Sequence, residues 1–192
     1  MNEYLTSVLS VCAGLGLAAA CGFRIFVPAL VLSIAANSGA IQLSPGFAWL
    51  GSTPVVIALA IATALEIGAY YIPVVDNFLD MIATPAAVLA GIVVSSAVMV
   101  DIEPWLKWLL ATVAGGGLAA AVQVPTVALR GVSTATSAGL GNPVVSTGEA
   151  VGSTAMSVLA VMAPIMIPLA ALLVVWLLYR RMRSRSTAVM PA

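Results

Sequence analysis

Arg24 sits in the middle of a stretch from Leu5 to Ala36 that is otherwise almost wholly apolar. A guanidinium at the centre of a spanning helix costs at least about 2.5 kcal/mol, so it faces a partner, a cavity or a substrate. The chain has seven carboxylates, and only Glu66, Asp76, Asp80 and Glu149 lie within or beside other apolar stretches. Glu66, about 9 Å inside the end of its helix by rise per residue, is the expected partner of Arg24. Such a pair either serves a substrate or fixes helix registry. Asp76 and Asp80 are four positions apart, and Thr84 continues their face. Two close carboxylates raise each other's proton affinity and can bind a cation or exchange protons near neutral pH. The plainer alternative makes Asp76 the N-cap of a polar helix start. Glu149 follows a Ser-, Thr- and Gly-rich segment, 131–148, and the Asn142-Pro143 turn. It is either a helix-start acid or, with Asn142 and Thr154, part of a second polar half-site.

The elements that would position these groups are interrupted. Pro28, Pro85 and Pro125 each remove the amide that would pair with a carbonyl four residues earlier, at Arg24, Met81 and Ala121. Irregular backbone at membrane depth is tolerated only where it is buried in protein or lines a cavity. Gly115 to Gly117 and Ala119 to Ala121 make the fourth span thin, which lets neighbouring backbones approach closely and makes Gly116 a candidate hinge beside the three prolines.

Composition sets the solvent. The chain is 62% hydrophobic and 7% charged, with a mean hydropathy of +1.15. No soluble domain of 192 residues can cover such a surface, so the chain is an integral membrane protein. Net charge is zero, and nucleic acid is not an expected partner. The bilayer is. With no histidine, and with Cys12 and Cys21 nine positions apart on one helical run, no metal site, cofactor or His-dependent triad is expected, and the chain is not read as an enzyme. No basic segment opens the chain, so the first helix is expected to be retained.

Apolar runs give five candidate spans, four to six in all, at roughly 5–35, 53–72, 77–100, 105–129 and 146–179. The first and last are over-long, and each is read as a kinked helix or a helix joined to a shorter piece. Residues 1–180 form one transmembrane domain, and 181–192 a short basic tail. The arginines at 180, 181, 183 and 185 put the C-terminus in the cytoplasm. Five spans then put the N-terminus outside, Trp49, Trp105, Trp108, Trp176 and Tyr179 at the inner boundary, Tyr70 and Tyr71 at the outer one, and Arg130 outside. Two internal matches, Pro73–Ala90 with Pro143–Ala160 and Gly16–Ala20 with Gly117–Ala121, suggest a repeat. On five spans the second pair runs in opposite directions, as in inverted-repeat transporters, whereas the first pair runs the same way.

The chain resembles the bacterial membrane family known as domain of unknown function 4126. The resemblance rests on Gly22-Phe23-Arg24-Ile25-Phe26-Val27-Pro28, on Pro73-Val-Val-Asp76 with Asp80, on Ala83-Thr84-Pro85, and on Ser133-Thr134-Ala135-Thr136 leading to Gly141-Asn142-Pro143 and Glu149. It implies a polytopic inner-membrane protein with no established activity. It also implies a basic or histidine residue in the fourth span, where this chain has Gln123 and Thr126. The expected fold is an all-α polytopic bundle with kinked or broken helices and a polar centre of Arg24, Glu66, Asp76, Asp80 and Thr84, joined by Asn142, Glu149 and Thr154. The leading expectation is movement of a small ion or solute, with cation or proton coupling. The alternative is an accessory or assembly protein whose buried charges are structural. A homo-oligomer is compatible with the small size.

Overall fold

A computed structural model describes residues 3–166 together with 169, 170, 172, 173, 176, 177 and 180; in the first two turns of α4 it leaves the side chains of 73, 74, 76, 77 and 80 outside the description. The tail at 181–192 and the later part of the last apolar stretch lie largely outside the described residues.

The described chain is helical, without strands. It comprises α1 (Glu3–Cys21), α2 (Phe26–Asn37), a 3₁₀ segment (Pro45–Gly51), α3 (Thr53–Ala69), α4 (Pro73–Val98), α5 (Pro104–Leu110), α6 (Gly116–Ser137) and α7 (Asn142–Met162). A single π turn at Ala111–Gly115 joins α5 to α6. Proline opens α3, α4, α5 and α7 within their first two positions, where its missing N–H breaks no ladder bond. Four stretches are long and apolar enough to cross a bilayer: Glu3–Cys21, Met81–Val98, Pro104–Ser137 and Asn142–Met162. The 3₁₀ segment with α3, bent by 69°, makes a fifth.

The helices are inside out relative to a soluble protein. In α7 the buried face reads Asn142, Ser146, Glu149, Ser153, Ser157 and Ala160, while Val144, Val151 and Met162 are exposed. In α6 the buried face is Gly116, Ala119, Gln123, Thr126 and Arg130. Polar and small residues inward with large apolar residues outward is the arrangement that hydrocarbon solvent selects.

The first over-long stretch is two helices, not one kinked helix. Ser7 donates to the carbonyl of Asp101, which places the start of α1 beside the end of α4. Residues 6–13 of α1 and 40–42 after α2 line one cavity, so α2 returns toward the face from which α1 starts. The turn at Gly22–Ile25 therefore closes a helical hairpin. Its second arm has 12 residues, about 18 Å, too short to span a bilayer. Pro28 sits in the first turn of α2, where no intrahelical bond is lost, while Pro85 and Pro125 lie inside continuous helices.

This extra reversal corrects the topology. The N-terminus shares a face with the 3₁₀ segment and α5: Ser44 N–H donates to Ala97 O, and Lys107 Nζ to Ser44 Oγ. The exposed Trp49, Trp105 and Trp108 lie on the segments that meet there. The N-terminus is thus on the same side as these tryptophans, not opposite them. The Gly16–Ala20 and Gly117–Ala121 pair also changes sense, while the Pro73–Ala90 and Pro143–Ala160 pair keeps the expected one. Gly22 packs on Ala119 to Gln123 as Ser7 meets Asp101, so α1 and α6 run the same way. Both α4 and α7 run against α1: Gly14 meets Ser95 where Gly91 lies near Ala18, and Arg24 meets Ser146 where Val161 lines the cavity with Thr6. The matched segments are parallel, not inverted.

Candidate functional site

Five backbone N–H groups converge at the hairpin turn, and each is paired. Those of Gly22, Phe23 and Arg24 donate back to the α1 carbonyls of Ala19 and Ala20. Those of Ile25 and Phe26 donate to the two carboxylate oxygens of Glu66, at 2.7 and 3.0 Å. Glu66, reaching from α3, thus does the work of an N-cap for α2, and its negative charge meets the positive end of that helix. On α7, Ser153 Oγ adds a third bond to the carbonyl of Ala20, at 3.0 Å. Gly22 is required here by space: a Cβ would lie 2.5 Å from Ala119 O and 3.0 Å from Gln123 N.

With the turn fixed, the Arg24 side chain is 1% exposed and points to α7. Its Nη2 donates to Ser146 O at 3.0 Å and to Ser146 Oγ, and lies 3.3 Å from Glu149 Oε2. Arg130 of α6 meets the same carboxylate in a two-pronged contact, Nε to Oε1 at 3.1 Å and Nη2 to Oε2. The guanidinium carbons of Arg24 and Arg130 lie 3.9 and 4.0 Å from the centre of the Tyr70 ring, a cation–π contact for each. The cluster is internal. By rise per residue, α6 runs about 10 Å beyond Arg130 and α7 starts about 10 Å before Glu149.

The structure brings Arg24, Glu149 and Glu66 of the sequence-derived set to one turn, with Asn142 two turns before Glu149 on the same buried face of α7. It changes their pairing: Arg24 bonds Glu149, and Glu66 bonds backbone. Asn142 is buried and donates to Thr134 Oγ1 at 2.9 Å. Thr84 is half-buried. Thr154 is exposed on the outward face, donating to Ala150 O of its own helix, and does not join the cluster. The side chains of Asp76 and Asp80 lie outside the described residues; their backbones occupy the first two turns of α4, just after Tyr70. Gly116 is buried against Ile92 and Val88, next to the π turn.

Sequence reasoning missed two members. Tyr70 is buried under the arginines, not interfacial, while its neighbour Tyr71 is exposed, its hydroxyl 2.7 Å from Thr147 Oγ1. Arg130 is buried inside the bundle, within α6 rather than beyond the end of its span. The signal for it was the face Ala119, Gln123, Thr126, Arg130, whose steps of three and four residues end in a charge. The basic side chain sought at Gln123 and Thr126 stands one turn later.

The family model described as Domain of unknown function (DUF4126) matches residues 11–184. No curated protein and no solved structure matches the chain.

Proposed function

The chain belongs to the DUF4126 family, and we propose that this membrane protein moves a small solute or ion across the bilayer, with the Arg24, Arg130 and Glu149 cluster at the centre of the path. One observation carries the proposal. The α1–α2 hairpin turns inside the bundle, and the cationic residue at the turn is buried with two of its nitrogens, Nε and Nη1, without hydrogen-bond partners among the described residues. Helix ends that meet charged side chains at membrane depth are how many transporters hold substrates and coupling ions. Intramembrane ionisable groups are costly and are kept for such work. In this reading Asp76 and Asp80 take a cation or proton, and Arg24 neutralises them or holds an anionic group.

A second reading also has an observation in its favour. Both oxygens of Glu149 and both of Glu66 are engaged within the protein, as in an assembly protein whose charges set registry. The deciding experiment measures ion, proton and small-solute flux in proteoliposomes for the parent, Arg24→Gln and Asp80→Asn at equal insertion. Transport predicts parent flux that both substitutions abolish. A parent that conducts nothing across a broad panel supports the assembly protein.

A further inference from the structure

The N-terminus of α2 already holds a carboxylate. Glu66 Oε1 and Oε2 take the N–H groups of Ile25 and Phe26 in the geometry that anions adopt at helix N-termini. A second feature adjoins it and is independent of it. Arg24 directly precedes Ile25, is 1% exposed, and among the described residues is hydrogen-bonded only through Nη2, leaving Nε and Nη1 without hydrogen-bond partners there. A buried donor left unpaired costs free energy, so its retention calls for an acceptor that visits. Among the described residues, the charged and titratable groups that act on Glu66 are Arg24 in the turn, Cys21 at the end of α1, and Arg130 of α6.

We propose that the α2 N-terminus and Arg24 form a binding site for a small planar oxyanion, with Glu66 as its built-in competitor. The proposal rests on the transport reading and names its substrate class. Ionised Glu66 and an entering anion cannot both occupy the two N–H groups. A proton taken up on a Glu66 carboxylate oxygen removes the charge that holds it there. The side chain then leaves, and the anion accepts from Ile25 N–H, Phe26 N–H and the unpartnered nitrogens of Arg24. One anion enters with one proton, and on the far side the anion departs as Glu66 releases its proton and reoccupies the turn.

The test uses the full chain with formate and nitrate as probes. Both are planar with a carboxylate-like edge, and nitrate has no neutral acid form that leaks through lipid. In detergent, Glu66→Ala is expected to lose thermal stability and to regain it saturably with formate or nitrate but not with gluconate. Absence of any saturable rescue overturns the site. Should Glu66→Ala not fold, Glu66→Gln, which keeps an acceptor and mimics the protonated state, is expected to respond to nitrate at neutral pH, while the parent responds only on acidification. A Glu66→Gln protein indifferent to nitrate at every pH overturns the site equally. In proteoliposomes, parent nitrate uptake is expected to rise by about tenfold or more from about pH 7.5 to about pH 5 as the protonated fraction grows, and Glu66→Gln to be flat with pH. Rescue in detergent without flux in any variant leaves the anion site standing and removes transport. Flux without rescue overturns the anion site and leaves transport.

Discussion

Two layers of the bundle solve the same problem by opposite means. In the layer where α1, α4 and the π turn with the start of α6 cross, Gly14, Gly91 and Gly115 meet Ala18, Ala119 and Ser95, and the contact is of backbone against backbone and small side chains. In the layer of the hairpin turn, bulky charged and aromatic side chains fill the space: Arg24, Arg130, Tyr70 and Glu149. Lipid supplies no hydrophobic drive between helices, so packing and polar contacts must hold the bundle. The small-residue layer sets how closely the helices approach. The charged layer sets where the α1–α2 turn sits. Failure of the first is steric and has no partial form; failure of the second is electrostatic and graded.

The largest effect is expected in the first layer. A Cβ on Gly91 would lie 2.7 Å from Ala119 Cβ and 3.1 Å from Gly115 O, so Gly91→Leu must part α4 from α6. No monodisperse folded protein is expected by size-exclusion chromatography. Gly117→Leu, two positions beyond Gly115 on the outward side with nothing within 4 Å, should behave as the parent. Equal behaviour of the two would break the comparison by showing that the crossing is loosely packed.

An intermediate effect is expected in the second layer. Glu149→Gln removes the carboxylate that Arg24 and Arg130 share, and a destabilisation of about 3 kcal/mol or more is expected from breaking buried ion pairs by removal of one partner. Arg24→Gln should cost less, because Glu149 keeps its two-pronged contact with Arg130. Thermal or denaturant unfolding of the three proteins gives the order. A larger loss for Arg24→Gln would locate the cluster's weight at the turn rather than at the shared carboxylate.

These layers were unequally legible in the sequence. The glycine and alanine run of the fourth span announces close approach, and it packs as composition implies. Arg24 stands out because a lone charge in an apolar stretch has few explanations. Its partner was not legible: Glu66 and Glu149 are both carboxylates at membrane depth, and the choice turns on the Gly22–Ile25 hairpin. A kinked helix and a helix pair have the same hydropathy, and Pro28 fits the first turn of α2 as well as it fits a kink. From that ambiguity came an N-terminus expected opposite the tryptophans and an opposed Gly16–Ala20 and Gly117–Ala121 pair. Arg130 and Tyr70 were assigned to surfaces because charge counting and aromatic belts describe boundaries, whereas the one-face spacing of α6 describes an interior.

The smallest effect separates neighbours on α7. Ser153 is fully buried, and its hydroxyl crosses to Ala20 O of α1; Thr154 is exposed, and its hydroxyl returns to Ala150 O of its own helix. Interhelical polar contacts in membranes average about 0.6 kcal/mol, so Ser153→Ala should lower stability by about that amount. It should also loosen the turn, since Ala20 O accepts from Phe23 and Arg24 as well. Thr154→Val exchanges a self-satisfied hydroxyl for a methyl on the outward face, and both stability and flux should stay at parent values. Loss of flux in Thr154→Val at unchanged stability would put the outward face of α7 on the solute's path. The inside-out pattern would then mark a second polar surface, covered by something other than lipid. Unchanged flux in Thr154→Val with a small loss in Ser153→Ala would confine function to the buried face, where Ser153 and Glu149 stand one turn apart.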